Sequence, residues 1–248
     1  NIMALPKINT PTYELKIPST GQKVKYRPFL VKEEKLLLIA IEDGSVKAMS
    51  KAMNNIISDC TEGEVAIKDL APFDIEYFFL QLRGKSVGDV LDLSFHKPKN
   101  VSCGEELEDC SEICEIKINI DDITIDSSEI KDSKIELTDT IGVKVNYPQL
   151  EVIQKFTSTD ENVSANNVFE LINECIEYIW DGEEIYKAKD STKKEINEFV
   201  ESLSTAQFQK IREFFDGMPK LKHDVTWKCP KCDKEAPMVL EGIDSFFE

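Results

Sequence analysis

The segment Asp224-Val225-Thr226-Trp227-Lys228-Cys229-Pro230-Lys231-Cys232-Asp233-Lys234-Glu235-Ala236-Pro237-Met238-Val239-Leu240 decides how this chain is read. Strands are expected at 224–227 and 238–240, flanking a Cys-Pro-Lys-Cys turn. A tight turn of this kind presents two thiolates on one side and lets backbone amides donate to the sulfurs, the geometry of a zinc knuckle. Two thiolates are half of a tetrahedral set, so a second pair must come from elsewhere. The region that offers it holds Cys103, Cys110 and Cys114, in a polar excursion between strands expected to end near Phe95 and to begin near Glu115.

Which two of those three complete the set stays open. Cys110 and Cys114 have ordinary ligand spacing. Cys114, however, shares a strand face with Ile116, Ile118 and Ile120, which makes it equally a core residue and leaves Cys103 with Cys110 as the other pair. The expected metal ligands are four of Cys103, Cys110, Cys114, Cys229 and Cys232, holding a structural zinc. A redox pair would sit at a helix N-terminus, and the flanks here read as strands. Cys175, on the apolar face of an expected helix, and Cys60, at a helix end, read as inert core thiols.

An all-thiolate site is closed, and nothing else in the chain suggests catalysis. The two histidines, His96 and His223, lie in no His-Glu-x-x-His or His-x-Glu pattern, and no Walker loop, Gly-x-Ser-x-Gly elbow or Gly-x-Gly-x-x-Gly turn occurs. The expectation is a protein without enzymatic activity.

Outward from the knuckle, the chain reads as α+β: helical lobes around a small antiparallel sheet with a zinc-ribbon-like centre. A hairpin is expected over 12–27. Helices follow at 31–41, apolar nearly all round and therefore central, and at 45–57, separated by Asp43-Gly44. A helix over 73–82 starts behind Pro72 and closes at Gly84. Strands at 87–95, 116–123, 134–137 and 141–147 read as one antiparallel sheet. Val168, Leu171, Ile172, Cys175, Ile176, Ile179 and Trp180 keep helical spacing, so one helix is expected through Trp180. A short β excursion passes through Ile185 and Tyr186. Thr192 with Glu195 and Ser204 with Gln207 predict capping boxes for two further helices. The segments are 1–86, 87–147, 148–222 and 223–248, read together as one compact unit.

Of 248 residues, 41% are hydrophobic and 31% charged, the balance of a globular protein. Thirty Lys and Arg against 47 Asp and Glu leave a net charge of −17, a field that repels phosphate backbones and anionic membranes. No apolar run reaches the roughly 18 residues that a membrane span needs. The start, Asn1-Ile2-Met3-Ala4-Leu5-Pro6, has neither a basic region nor a long apolar one, so no signal peptide is expected. Seven cysteines without such a signal point to a reducing cytosol.

Two blocks also carry a resemblance. One is Phe73-Asp74-Ile75-Glu76-Tyr77-Phe78-Phe79-Leu80-Gln81-Leu82-Arg83-Gly84-Lys85-Ser86-Val87-Gly88 with Ile116-Lys117-Ile118-Asn119-Ile120-Asp121-Asp122-Ile123 beyond the cysteine loop. The other is Phe208 to Phe215, Met218-Pro219-Lys220-Leu221, His223, the knuckle and Leu240-Glu241-Gly242-Ile243-Asp244-Ser245-Phe246-Phe247. Together they resemble the baseplate-hub subunit and assembly-chaperone family of large contractile-tailed bacteriophages, from about Leu5 onward. The resemblance implies a part in virion assembly in the host cell cytoplasm, with the virion baseplate as the alternative location. The implied partners are other baseplate hub proteins, with self-association alongside, while the charge balance argues against nucleic acid and membrane. The first cysteine cluster departs from the compact Cys-x2-Cys of that family. Phe246 and Phe247 are a candidate partner-binding element, with docking onto their own core as the alternative. A zinc-ribbon nucleic-acid adaptor is the other functional reading, for which Lys220, Lys222 and Lys228 form the best basic cluster.

Overall fold

A computed structural model describes residues 8–96, 98, 113–125, 130–149, 152–153 and 165–246. It is a mixture of helices and small antiparallel sheets, the expected α+β class. The chain forms two compact units. One combines 1–67, 73–125 and 220–248, and the other combines 68–72 with 126–219.

The first unit opens with β1 (Tyr13–Lys16) and β2 (Lys23–Tyr26), an antiparallel hairpin in which Leu15 faces Val24. Leu15, Ile17, Val24 and Tyr26 are buried, and the Tyr26 ring meets Phe78 edge-on at 5.4 Å. Helix α1 (Val31–Asp43) ends on Gly44, whose φ of 70° is the left-handed cap that a side chain resists. Helix α2 (Val46–Cys60) starts at Ser45, whose hydroxyl accepts the Ala48 N–H at 3.1 Å. Met53, Ile56, Ile57 and Cys60 form its buried side.

Helix α1 is not central, as its composition suggested. Its buried residues are Glu33 and Ala40, while Leu36, Leu38, Ile39 and Ile41 are between 40% and 54% exposed. An ionic contact anchors it instead. Arg27 Nη2 donates to Glu33 Oε1 at 2.9 Å, the Leu30 N–H donates to Glu33 Oε2 at 2.8 Å, and Lys32 Nζ lies 3.0 Å from Oε1.

Helix α3 (Pro72–Val87) carries the largest block of core residues, including Phe73, Phe78, Phe79, Leu80 and Leu82. It does not stop at Gly84. A Cβ there would lie 3.3 Å from Ile120 Cδ1, so this glycine permits close packing, and the helix ends at Gly88 with φ 144°. Strands β3 (Val90–Phe95) and β4 (Cys114–Asn119) pair antiparallel with Leu91 facing Ile118 and Phe95 facing Cys114. The chain returns to this unit as β9 (Lys222–Lys228) and β10 (Glu235–Glu241), a hairpin with Trp227 opposite Ala236.

The second unit is built on a four-stranded antiparallel sheet in the order β5-β6-β7-β8, comprising Lys134–Glu136, Ile141–Val145, Ile176–Asp181 and Glu184–Lys187. The middle third of the chain therefore divides between two sheets rather than forming one. Helix α4 (Ala165–Cys175) ends where β7 begins, so the expected single helix through Trp180 is wrong beyond Cys175. Ile176, Tyr178, Ile179 and Trp180 are β-branched or aromatic, and the Gly182-Glu183 turn closes them into a hairpin with β8. The capping boxes at Thr192 and Ser204 start α5 (Lys193–Glu201) and α6 (Thr205–Asp216) as expected. Val143, Val145, Ile172, Ile176, Ile196, Val200, Ile211 and Phe214 form the core, with Phe169 stacked on Phe208 at 4.5 Å.

Candidate functional site

The β9–β10 turn is built by its own backbone. The Cys229 N–H donates to the Lys234 carbonyl at 2.9 Å, and the Asp233 N–H donates to the Cys229 carbonyl at 3.0 Å. Asp233 takes φ 56°, the left-handed conformation that glycine most readily fills. Lys228 Nζ lies 3.2 Å from Asp233 Oδ1, across the mouth of the turn.

Strand alternation puts Trp227 and Cys229 on one face. Trp227 is 0% exposed and Cys229 1%, and both cluster with Ala236. Packed against them are Phe95 and Cys114, which face each other at the open end of β3–β4, and Cys232. The structure thus brings Cys114, Cys229 and Cys232, from two hairpins distant in sequence, into one apolar cluster. Cys103 and Cys110 lie outside the described residues. Among the described residues no group of three or more His, Cys, Asp and Glu side chains converges tightly enough to hold a metal ion.

One polar atom in this cluster stands out. Trp227 Nε1 is buried and finds no hydrogen-bond partner among the described residues. A buried N–H donor normally has an acceptor, and thiolate sulfur is one that such donors serve around metal centres. Sequence reading had no access to this atom, because the burial and the missing acceptor are both tertiary facts.

The remaining cysteines behave as core residues. Burial pushes the Cys60 thiol up to about 11 and the Cys175 thiol up to about 12, so neither is a ready thiolate. Phe246 is 1% exposed within a short 3-10 turn, Ile243–Phe246. Phe247 lies outside the described residues.

The basic cluster considered for nucleic acid is locally neutralised. Lys220 Nζ lies 2.5 Å from Glu241 Oε1, and Lys228 is engaged by Asp233. Among the described residues no helix is long and apolar enough to cross a membrane. The surface that sequence reading missed is α1, where Val31, Leu36, Leu38, Ile39 and Ile41 are all exposed. The signal was present in the interleaved Lys32, Glu34 and Lys35, which an all-round buried helix does not carry.

No curated protein sequence and no solved structure gives a significant match to the chain. A family model does, and it extends from the β1–β2 hairpin through α1 and the cysteine knuckle to the final residue. With residues 10–248 matched, the chain belongs to the T4 bacteriophage base plate protein family.

Proposed function

We propose that this baseplate protein works without catalysis, as a hub subunit or assembly chaperone that docks other baseplate hub proteins during assembly in the host cell cytoplasm. The observation that carries the reading is α1. A helix that buries a glutamate and an alanine while exposing five large apolar side chains is held in place by polar contacts, leaving its apolar surface for another protein. The net charge of −17 and the paired Lys220 and Lys228 disfavour a nucleic-acid partner.

A structural zinc belongs to the same proposal. Cys229, Cys232 and Cys114 would supply three thiolates and Cys103 or Cys110 the fourth. The support is the shared cluster of three cysteines, together with the buried, unpartnered N–H of Trp227, a residue of the same cluster. The metal would supply no reaction chemistry; it would tie β4 to the β9–β10 turn.

The test is co-expression with the other hub proteins, followed by affinity capture, sizing and elemental analysis. Leu38→Asp and Ile41→Asp are expected to abolish capture while leaving stability within about 0.5 kcal/mol, as for exposed sites generally. One zinc per chain is expected, lost in Cys229→Ser. Capture that survives both α1 variants refutes the docking surface, and a fully folded chain without metal refutes the zinc.

A further inference from the structure

The four-stranded sheet of the second unit ends on β8, and every residue from Asp181 to Lys187 is exposed. An exposed strand edge is a template for another strand. What this edge fits follows from its backbone direction and its charges.

The Gly182 N–H donates to the Thr140 carbonyl at 2.9 Å, so at this end of β7 the even-numbered residues turn their backbone groups toward β6. The odd-numbered ones, Asp181 and Ile179, face β8. Their partners there are Glu184 and Tyr186, whose backbone groups are therefore directed inward. Ile185 and Lys187 direct theirs outward to the open edge, where Ser191 Oγ reaches the Lys187 carbonyl at 3.3 Å.

We propose that β8 pairs antiparallel with β8 of a second copy of this chain, about a two-fold axis at Ile185, joining two four-stranded sheets into one of eight. Antiparallel pairing sets outward residues opposite outward ones and inward opposite inward, so a two-fold axis must pass through a residue rather than between two. Three registers are then available. An axis at Glu184 places two glutamates face to face. An axis at Tyr186 sets Ile185 against the partner's Lys187. An axis at Ile185 sets Ile185 against the partner's Ile185, Glu183 against the partner's Lys187, and Glu184 against the partner's Tyr186. In this last register every opposed pair is complementary, and each occurs twice or lies on the axis.

The outward N–H of Ile185 then donates to the carbonyl of the partner's Ile185 and its own carbonyl accepts the partner's N–H, while the Lys187 N–H donates to the carbonyl of the partner's Glu183. The Tyr186 hydroxyl already donates to Glu184 within its own strand, and across the axis it faces the partner's Glu184. At −17 per copy, long-range repulsion opposes association, so the pairing belongs to physiological salt rather than to low salt.

Sedimentation equilibrium of the full chain across a concentration series, at physiological ionic strength, tests this. A reversible dimer is expected. Lys187→Glu and Glu183→Lys each create two like-charge pairs and should each weaken it about tenfold. The double charge swap restores opposite charges at both positions and should recover the affinity of the original chain. Ile185→Pro removes an N–H that the monomer's own ladder does not use, so it should abolish the dimer while thermal unfolding of the monomer stays nearly unchanged. A chain that remains monomeric throughout overturns the proposal. So does a dimer indifferent to these variants, or one that the charge swap fails to rescue.

Discussion

Replacing Glu33 by Gln perturbs the contact that seats α1, and the size of the effect follows from the structure. Burial alone pushes the Glu33 carboxyl up. The hydrogen bonds from Arg27, Leu30 and Lys32 outweigh it and bring the carboxyl from its ordinary 4.5 down to about 2. Each unit of that interval is worth about 1.4 kcal/mol, so ionised Glu33 contributes about 3 kcal/mol at neutral pH. Because the folded value is depressed, the contribution is complete above 4.5 and disappears as pH falls toward about 2. Gln keeps the shape but loses the charge, leaving the Arg27 guanidinium half a partner short.

Urea unfolding followed by Trp227 fluorescence, in a Trp180→Phe background, reports the first unit alone. Glu33→Gln is expected to cost about 3 kcal/mol at neutral pH, with the gap roughly halved near pH 3 and closed only at about pH 2 and below. Other carboxylates titrate in both chains and cancel in the difference. A gap that stays constant from neutral pH down through the acid range would refute the reasoning, because it would mean that Glu33 acts through shape and not through charge.

Two further outcomes rest on side chains already described. Phe246→Ala should destabilise the first unit by about 3–5 kcal/mol in the same urea assay, the cost of emptying a buried aromatic site; a loss near zero would show that the ring serves a partner after all. Gly142→Ala should cost the second unit about 1–3 kcal/mol by thermal melting, because a methyl there would overlap the Trp180 ring lying across this glycine.

The elements that could be read in advance were those specified by neighbouring residues. The boxes Thr192–Glu195 and Ser204–Gln207, the Gly44 cap and the hairpins at 13–26 and 222–241 each depend on a few adjacent side chains, and all are present. What could not be read depends on partners far along the chain. The stripe from Val168 to Trp180 satisfies a helical period, yet β6 and β8 claim its second half as a strand. The apolar run in α1 announces burial, but burial is decided by what packs on it, and the buried contact went to Arg27 and Glu33. Gly84 has the composition of a helix stop and serves instead as room for Ile120.

The candidate metal site divides in the same way. The Cys229–Cys232 turn was legible from its own flanks, and the arrival of Cys114 beside it required the β3–β4 register, which pairs it with Phe95. The unpartnered Trp227 N–H had no sequence signature at all.

The order in which the chain visits its two units has a consequence for synthesis. The second unit, apart from 68–72, is one uninterrupted stretch, 126–219, whereas the first is interrupted by it and recovers only with 220–246. On a ribosome the second unit has its sheet and three helices in hand while the first still lacks β9, β10 and the Phe246 plug. The hairpin and helices made earliest must wait, with apolar surface uncovered, until the knuckle emerges to join them. A chain that stops just after residue 219 therefore carries a finished second unit attached to a first that cannot close.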